Sequence, residues 1–289
     1  ECMNIREKPI RDCRIFNLKP LGGNYRKVSI QGIPGILVFP GALMEAEVET
    51  TYPYGVYRVH IRSRLARGSI DALLFTSELK KRYLYSGHVQ KTASILLMHK
   101  GTWPYPTLLK EGDPAVVIAD HLELTRRRST TPHSEVAPKA ISNGAQIFLS
   151  IGNQRLQIIE KNLPLFPLSP NRRIPYIDPF ADDISSYGET VEFGEFPVRA
   201  GESFIVSTKE YVKIPKGEIG LLHPIADEFS HTSALIIKPR AEGYQALELE
   251  ALCDTTVRPG LEVMMLSVYE CPALDDYNGR YAIQNTIGF

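Results

Sequence analysis

The feature that most limits what this chain can fold into is its punctuation. Short apolar runs, among them GILVFP, YGVYRVHI, ALLFT, SILLMH, QIFLSI, SFIVST, ALIIKP and VMMLSVYE, are separated throughout by Gly, Pro and Asn. Runs this short, rich in β-branched and aromatic side chains, suit strands and are too brief for packed helices. The chain reads as all-β, with room for few short helices, around 77–84 and 179–186. Its 289 residues suffice for two domains or one large β unit.

The runs also repeat. Phe39-Pro-Gly-Ala-Leu-Met-Glu-Ala followed by Pro53-Tyr-Gly-Val resembles Val198-Arg-Ala-Gly-Glu-Ser-Phe-Ile followed by Pro215-Lys-Gly-Glu. Further on, Ser94-Ile-Leu-Leu-Met, a turn and Glu111-Gly-Asp-Pro-Ala-Val-Val-Ile resemble Leu247-Glu-Leu-Glu, a turn and Pro259-Gly-Leu-Glu-Val-Met-Met-Leu. This self-similarity points to a duplicated unit. It divides the chain into a first domain over 1–125, a linker over 126–145 and a second domain over 146–289. The linker is rich in Arg, Ser, Thr and Pro and reads as surface. Its Arg126-Arg127-Arg128 run is a solvated basic face or, alternatively, a phosphate contact.

One carboxylate stands out against this background. In Leu247-Glu248-Leu249 an acid sits between two apolar neighbours, and strand side chains alternate faces. Glu248 therefore points away from the side taken by Leu247 and Leu249. A carboxylate held on a rigid strand and aimed into a pocket is a candidate general base. The plainer alternative is a Glu facing solvent.

The surrounding residues resemble the dCTP deaminase family, relatives of the trimeric dUTPases. Ile237, Pro239, Gly243, Leu247, Glu248 and Leu249 fall on that family's core motif without a gap. His231-Thr232-Ser233-Ala234 is similar to its H-x-T-A segment, Pro259-Gly260 to its turn, and Tyr277 to Gln284 to its C-terminal tail. In the first half, Arg62-Ser63-Arg64-Leu65-Ala66-Arg67 resembles its Arg-Ser segment; without that resemblance these residues would read as a solvated basic loop. Each repeat keeps what the other lacks. The second has Glu248 but Leu221-Leu-His-Pro-Ile-Ala-Asp in place of the Arg-Ser segment, and the first has Ile95-Leu-Leu-Met-His in place of the acid.

The resemblance implies two tandem dUTPase-like domains of the β-clip, or distorted jelly-roll, type with one composite site. It implies zinc-independent hydrolysis of dCTP to dUTP and ammonia, with Glu248 as base, Arg67 beside it keeping it ionised, and Ser63 completing the catalytic set. Arg62 and Arg64 would contact phosphates, which suit guanidinium donors. His231 and Ala234 would frame the nucleotide and its water, although His231 also reads as a packed structural histidine. Tyr281 and Gln284 would close over the nucleotide as a lid. Mg²⁺ would ride on the triphosphate rather than in a protein cage. A homo-oligomer is expected.

Two departures bear on activity. Where the family has Asp and Gly in its turn, this chain has Lys238 and Arg240, and Ala241 replaces the aromatic that follows. Lys238 argues against a dUTP diphosphatase, which needs that Asp, and leaves open a catalytically silent nucleotide-binding or assembly protein. Lys plus Arg and Asp plus Glu number 33 each, so no global field draws the chain to nucleic acid or membrane. No apolar run is long enough to span a bilayer. The cysteines, Cys2, Cys13, Cys253 and Cys271, have no metal or disulfide-framework spacing, which fits a cytoplasmic setting; no Pro-Cys-x-x-Cys zinc signature occurs. The start at Glu1 without Met suggests a trimmed or partial N-terminus.

Overall fold

The computed structural model describes residues 10–49, 55–75, 83–86, 92–143, 146–231, 235–272, 283–284 and 287. It is mostly β, as the turn-bounded apolar runs require, with a few helices of five residues or fewer. No helix among the described residues is long and apolar enough to cross a membrane. The expected helix at 77–84 falls largely outside the described residues, and its end, Tyr83 and Leu84, belongs to the strand Tyr83–Ser86. At 179–186 the helical turn is a 3₁₀ turn at Ile184–Tyr187.

Two sheets in the first half have counterparts in the second. The strands Ile15–Gly22, Leu43–Glu49, Thr92–His99 and Ile70–Phe75 pair antiparallel in that spatial order. In the second half Gln146–Ile158, Ser203–Lys213, Glu242–Ala251 and Phe229–His231 do the same. Likewise Ile10–Cys13, Val116–Asp120, Gly55–Ile61 and Tyr83–Ser86 match Gln146–Ile158, Glu262–Glu270, Glu218–Pro224 and Ile236–Ile237. One bent strand, Gln146–Ile158, thus serves both sheets where the first half uses two, broken at Arg14.

Each half has its own core. Ile15, Met44, Ala46, Val48, Ile95 and Leu97 lie in the first; Leu149, Val206, Leu222, Leu247, Leu249 and Leu266 lie in the second. Two further clusters join the halves. Trp103 and Tyr105 pack against Leu156, Ile177, Ile184, Tyr187, Ile205 and Ile287. Ile10, Val117, Ala119 and Leu124 pack with Ile219, Leu221 and Cys271. Apolar area buried across such a junction contributes roughly 25 cal/mol per Å², and it fixes how a residue of one half meets a residue of the other.

The stretch read as a surface linker is more engaged than its composition implies. Ser129 N and Arg127 O bond to the backbone of the strand Glu262–Glu270. Ser129 Oγ and Thr131 Oγ1 both donate to Glu218 Oε1, at 2.9 and 2.6 Å. Val136 and Ala137 are buried in the second core, and Ile141–Asn143 pairs with Gln146–Phe148. Arg126, Arg127 and Arg128 are exposed. Polar composition marks a connection; it does not reveal which backbone groups a neighbouring strand edge will take up.

Candidate active site

Glu248 sits in the middle of Glu242–Ala251, directly opposite Ile205 on the neighbouring strand. Leu247 and Leu249 point into the second core, so Glu248 projects from the other face. That face is not open water. Ile205 and Ala246, on the same side, belong to the cluster at the junction of the halves, and Glu248 is only 2% exposed. All three residues of the triplet are buried, so the strand shows no alternation of exposure although its side chains do alternate.

Arg67 meets Glu248 from the first half. It closes the five-residue helix Ser63–Arg67, whose Leu65 and Ala66 are anchored in the first core. Arg67 Nε lies 3.3 Å from Glu248 Oε1, and the two side chains are 4% and 3% exposed. The contact joins residues 181 positions apart within one chain. The reading of Arg62 to Arg67 as a solvated loop therefore fails at Arg67, which is 3% exposed. A guanidinium is buried where a carboxylate compensates it, because an unpaired charge in such a place costs several kcal/mol.

The turn carrying Arg67 is clamped by groups that the sequence did not single out. Trp103 Nε1 donates to Arg67 O at 2.6 Å, and Trp103 N donates to Ser69 Oγ at 3.1 Å. Thr107 Oγ1 donates to Gly68 O. Ser69 itself holds a left-handed φ of 69°, a conformation that costs a non-glycine residue and persists where its surroundings enforce it. Beneath the turn, His99 Nδ1 accepts from Gly101 N and its Nε2 faces Tyr105 O at 3.0 Å. That pattern makes His99 a neutral imidazole with its proton on Nε2, and burial lowers its pKa to about 4.

A second charged contact runs beside the first. Two residues beyond Glu248 on the same strand face, Glu250 Oε2 accepts from Lys100 Nζ at 2.7 Å. Lys100 is also 3.9 Å from Asp71. The spacing Glu-x-Glu was the available sequence signal, since residues i and i+2 of a strand share a face. In the first half, Leu96 and Met98 take the corresponding positions of Thr92–His99, with Ile95 and Leu97 turned to the core.

The other expected residues are distributed around this pair. Ser63 opens the helix that Arg67 ends, so the two share a helix face at i and i+4; Ser63 and Arg64 are half-buried. Arg62 precedes the helix and reaches Asp12 at 3.7 Å, and Lys238 reaches the same carboxylate at 3.9 Å. His231 is buried and pairs with Leu249, placing it on the core side of the strand, away from the Glu248 face. Ala234 and Tyr281 lie outside the described residues. The backbone of Gln284 pairs with Gly243 in parallel, so Ile283 and Gln284 lie beside the strand that carries Glu248, and Ile287 packs into the junction cluster. Among the described residues no group of three or more His, Cys, Asp or Glu side chains could hold a metal ion.

No protein-family profile and no curated protein sequence matches the chain. Its three-dimensional structure is similar to the crystal structure of 2′-deoxycytidine 5′-triphosphate deaminase from Agrobacterium tumefaciens. The match covers 91% of this chain and 88% of that one, with a TM-score of 0.63 and 12% identity. The chain shares that deaminase's fold. The architecture is mostly β and dUTPase-like, and at this identity the likeness concerns the fold alone.

Proposed function

We propose that the chain is a hydrolytic, zinc-independent deaminase that converts dCTP to dUTP and ammonia at the Arg67–Glu248 pair. The observation that supports this best is that pair itself: a base and a cation from two different halves, buried together, in a fold shared with a dCTP deaminase. In this reading Glu248 takes a proton from water, and the water oxygen attacks the amine-bearing carbon of cytosine. One of the two water protons passes to ring N3 and the other to the amine nitrogen, the exocyclic carbon–nitrogen bond breaks, and ammonia departs as the carbonyl forms. Arg67 supplies positive charge where negative charge develops, in a site shielded from bulk solvent. Ser63, Arg62 and Arg64 hold the phosphates, with Mg²⁺ arriving as part of the substrate. His231 to Ala234 frame the attacking water through backbone groups, and Tyr281 and Gln284 cover the nucleotide.

A second reading has a specific observation behind it. Asp12 lies between Arg62 and Lys238, so an internal carboxylate occupies the neighbourhood meant for phosphate. Under that reading the protein binds nucleotide weakly, or assembles, without turnover. The two are separated by incubating purified protein with dCTP and Mg²⁺, with dUTP, dCMP and CTP in parallel, and following ammonia and pyrophosphate. The deaminase yields dUTP and ammonia from dCTP and releases no pyrophosphate. Glu248→Gln should abolish turnover while nucleotide affinity stays largely intact; persistence of activity in that variant would refute the assignment.

A further inference from the structure

The charges at the junction of the halves extend beyond the Arg67–Glu248 pair. Five ionisable side chains meet there, three acids and two bases: Arg67, Asp71 and Lys100 from the first half, Glu248 and Glu250 from the second. Glu248 and Glu250 stand two residues apart on one face of the strand Glu242–Ala251, about 7 Å between their Cα atoms. Like charges at that range, shielded from solvent, drive one of the two carboxylates toward its protonated form. A protonated Glu248 cannot take a proton from water, and Arg67 offsets only one of the acids.

Lys100 offsets another. Its ammonium donates to Glu250 Oε2 at 2.7 Å and stands 3.9 Å from Asp71 Oδ2; Lys100 and Glu250 are half-buried and Asp71 is buried. Its backbone is held by the turn that carries Arg67, for Lys100 N donates to Ser69 O at 2.7 Å. The neighbouring strands bring no other counter-charge. Ser203–Lys213 sets Ile205 against Glu248 and Ser203 against Glu250, and Phe229–His231 sets Ser230 against Glu250. Beneath the turn His99 is neutral, its pKa lowered by burial to about 4. Burial pushes the phenols of Tyr105 and Tyr187, in the junction cluster, upward, so both are uncharged near neutrality.

We propose that Lys100 is a positioning residue that keeps Glu248 ionised by neutralising Glu250 beside it. That role rests on Glu248 being the base of the proposed reaction, yet its test needs no turnover. Carbon-13 NMR of the full chain, labelled at the glutamate carboxyl carbons, follows the titration of Glu248, whose signal is the one lost in Glu248→Gln. Lys100→Gln, which keeps a hydrogen-bond donor for Glu250, should raise the Glu248 midpoint by about one unit or more. Lys100→Arg should leave it in place, and adding Glu250→Gln to Lys100→Gln should bring it back. A lysine that served packing alone would change the urea midpoint of unfolding without moving this titration. The proposal is overturned if Lys100→Gln leaves the Glu248 midpoint unmoved, if Lys100→Arg moves it as far, or if the double variant does not restore it. Where dCTP is turned over, the acid limb of kcat/KM against pH should move with the NMR midpoint in the same variants. Absence of turnover in the parent chain refutes the deaminase and leaves the titration to decide the role of Lys100.

Discussion

Arg67 and Glu248 illustrate how far a residue's role depends on its partner. Each alone would be an expensive burial; together they compensate, and removing one leaves the other charged in an apolar junction. Arg67→Met and Glu248→Leu should each destabilise the protein by about 3–5 kcal/mol, whereas the double variant should lose clearly less than the sum of the two. Urea unfolding of the three variants measures this, and strict additivity would show that the charges do not interact. Glu248 was legible from its place between two leucines, because strand alternation is set by covalent geometry. The burial of Arg67 was not. It depends on a carboxylate 181 positions away; the six-residue basic segment taken alone carries no such information, and only its resemblance to the Arg-Ser segment set Arg67 beside Glu248. Nor did Trp103 signal its role, since the acceptor of its indole N–H is a backbone carbonyl, which leaves no mark in a sequence.

At the scale of elements, strands were legible and short helices were not. The strand Ser203–Lys213 begins with the apolar, β-branched stretch Phe204 to Val206 just after the turn at Gly201. The helix Ser63–Arg67 has only five residues, too few for a 3.6-residue period to register. Turns fall between these cases. The turn ahead of the Glu248 strand holds a left-handed residue that is not glycine: Arg240 has φ 60°. Its geometry is held by Arg240 N to Ile214 O, Ile214 N to Ala241 O and Ala241 N to Lys238 O, at 3.0, 3.0 and 3.1 Å. The backbone bonds thus hold a conformation that the side chain disfavours, at a cost of about 1–2 kcal/mol for a non-glycine residue. Arg240→Gly should relieve that cost less the added unfolded-state entropy of glycine, a net gain of about 1 kcal/mol. A higher urea midpoint at unchanged slope would demonstrate it, and a lower midpoint would mean that the Arg240 side chain holds the turn in another way.

For the whole molecule, two buried groups set opposing responses to acid. Burial lowers the His99 pKa to about 4, below its unfolded value of about 6.5. Between these values the unfolded chain holds a proton that the folded chain lacks, so stability falls as pH is lowered from about 6.5 to about 4. Burial raises the Asp113 pKa to about 6 from an ordinary value of 3.8. There the folded chain holds the extra proton, so this contribution grows as pH is lowered through the same window and is lost as pH rises to about 6. The two slopes nearly cancel. Asp113→Asn, which keeps an acceptor for Lys110 N, should unmask the His99 response and steepen acid destabilisation by roughly 1.4 kcal/mol per pH unit between pH 6 and 4. Parallel stability profiles for the variant and the parent would contradict it. The clamp on Arg67 has an optical consequence as well. The chain contains 1 Trp, so its ultraviolet emission above the tyrosine background has a single source, and that source is hydrogen-bonded to the carbonyl of Arg67. A nucleotide that draws Arg67 toward itself should change the colour or intensity of that emission. Native fluorescence thereby reports on the Arg67 turn without any label.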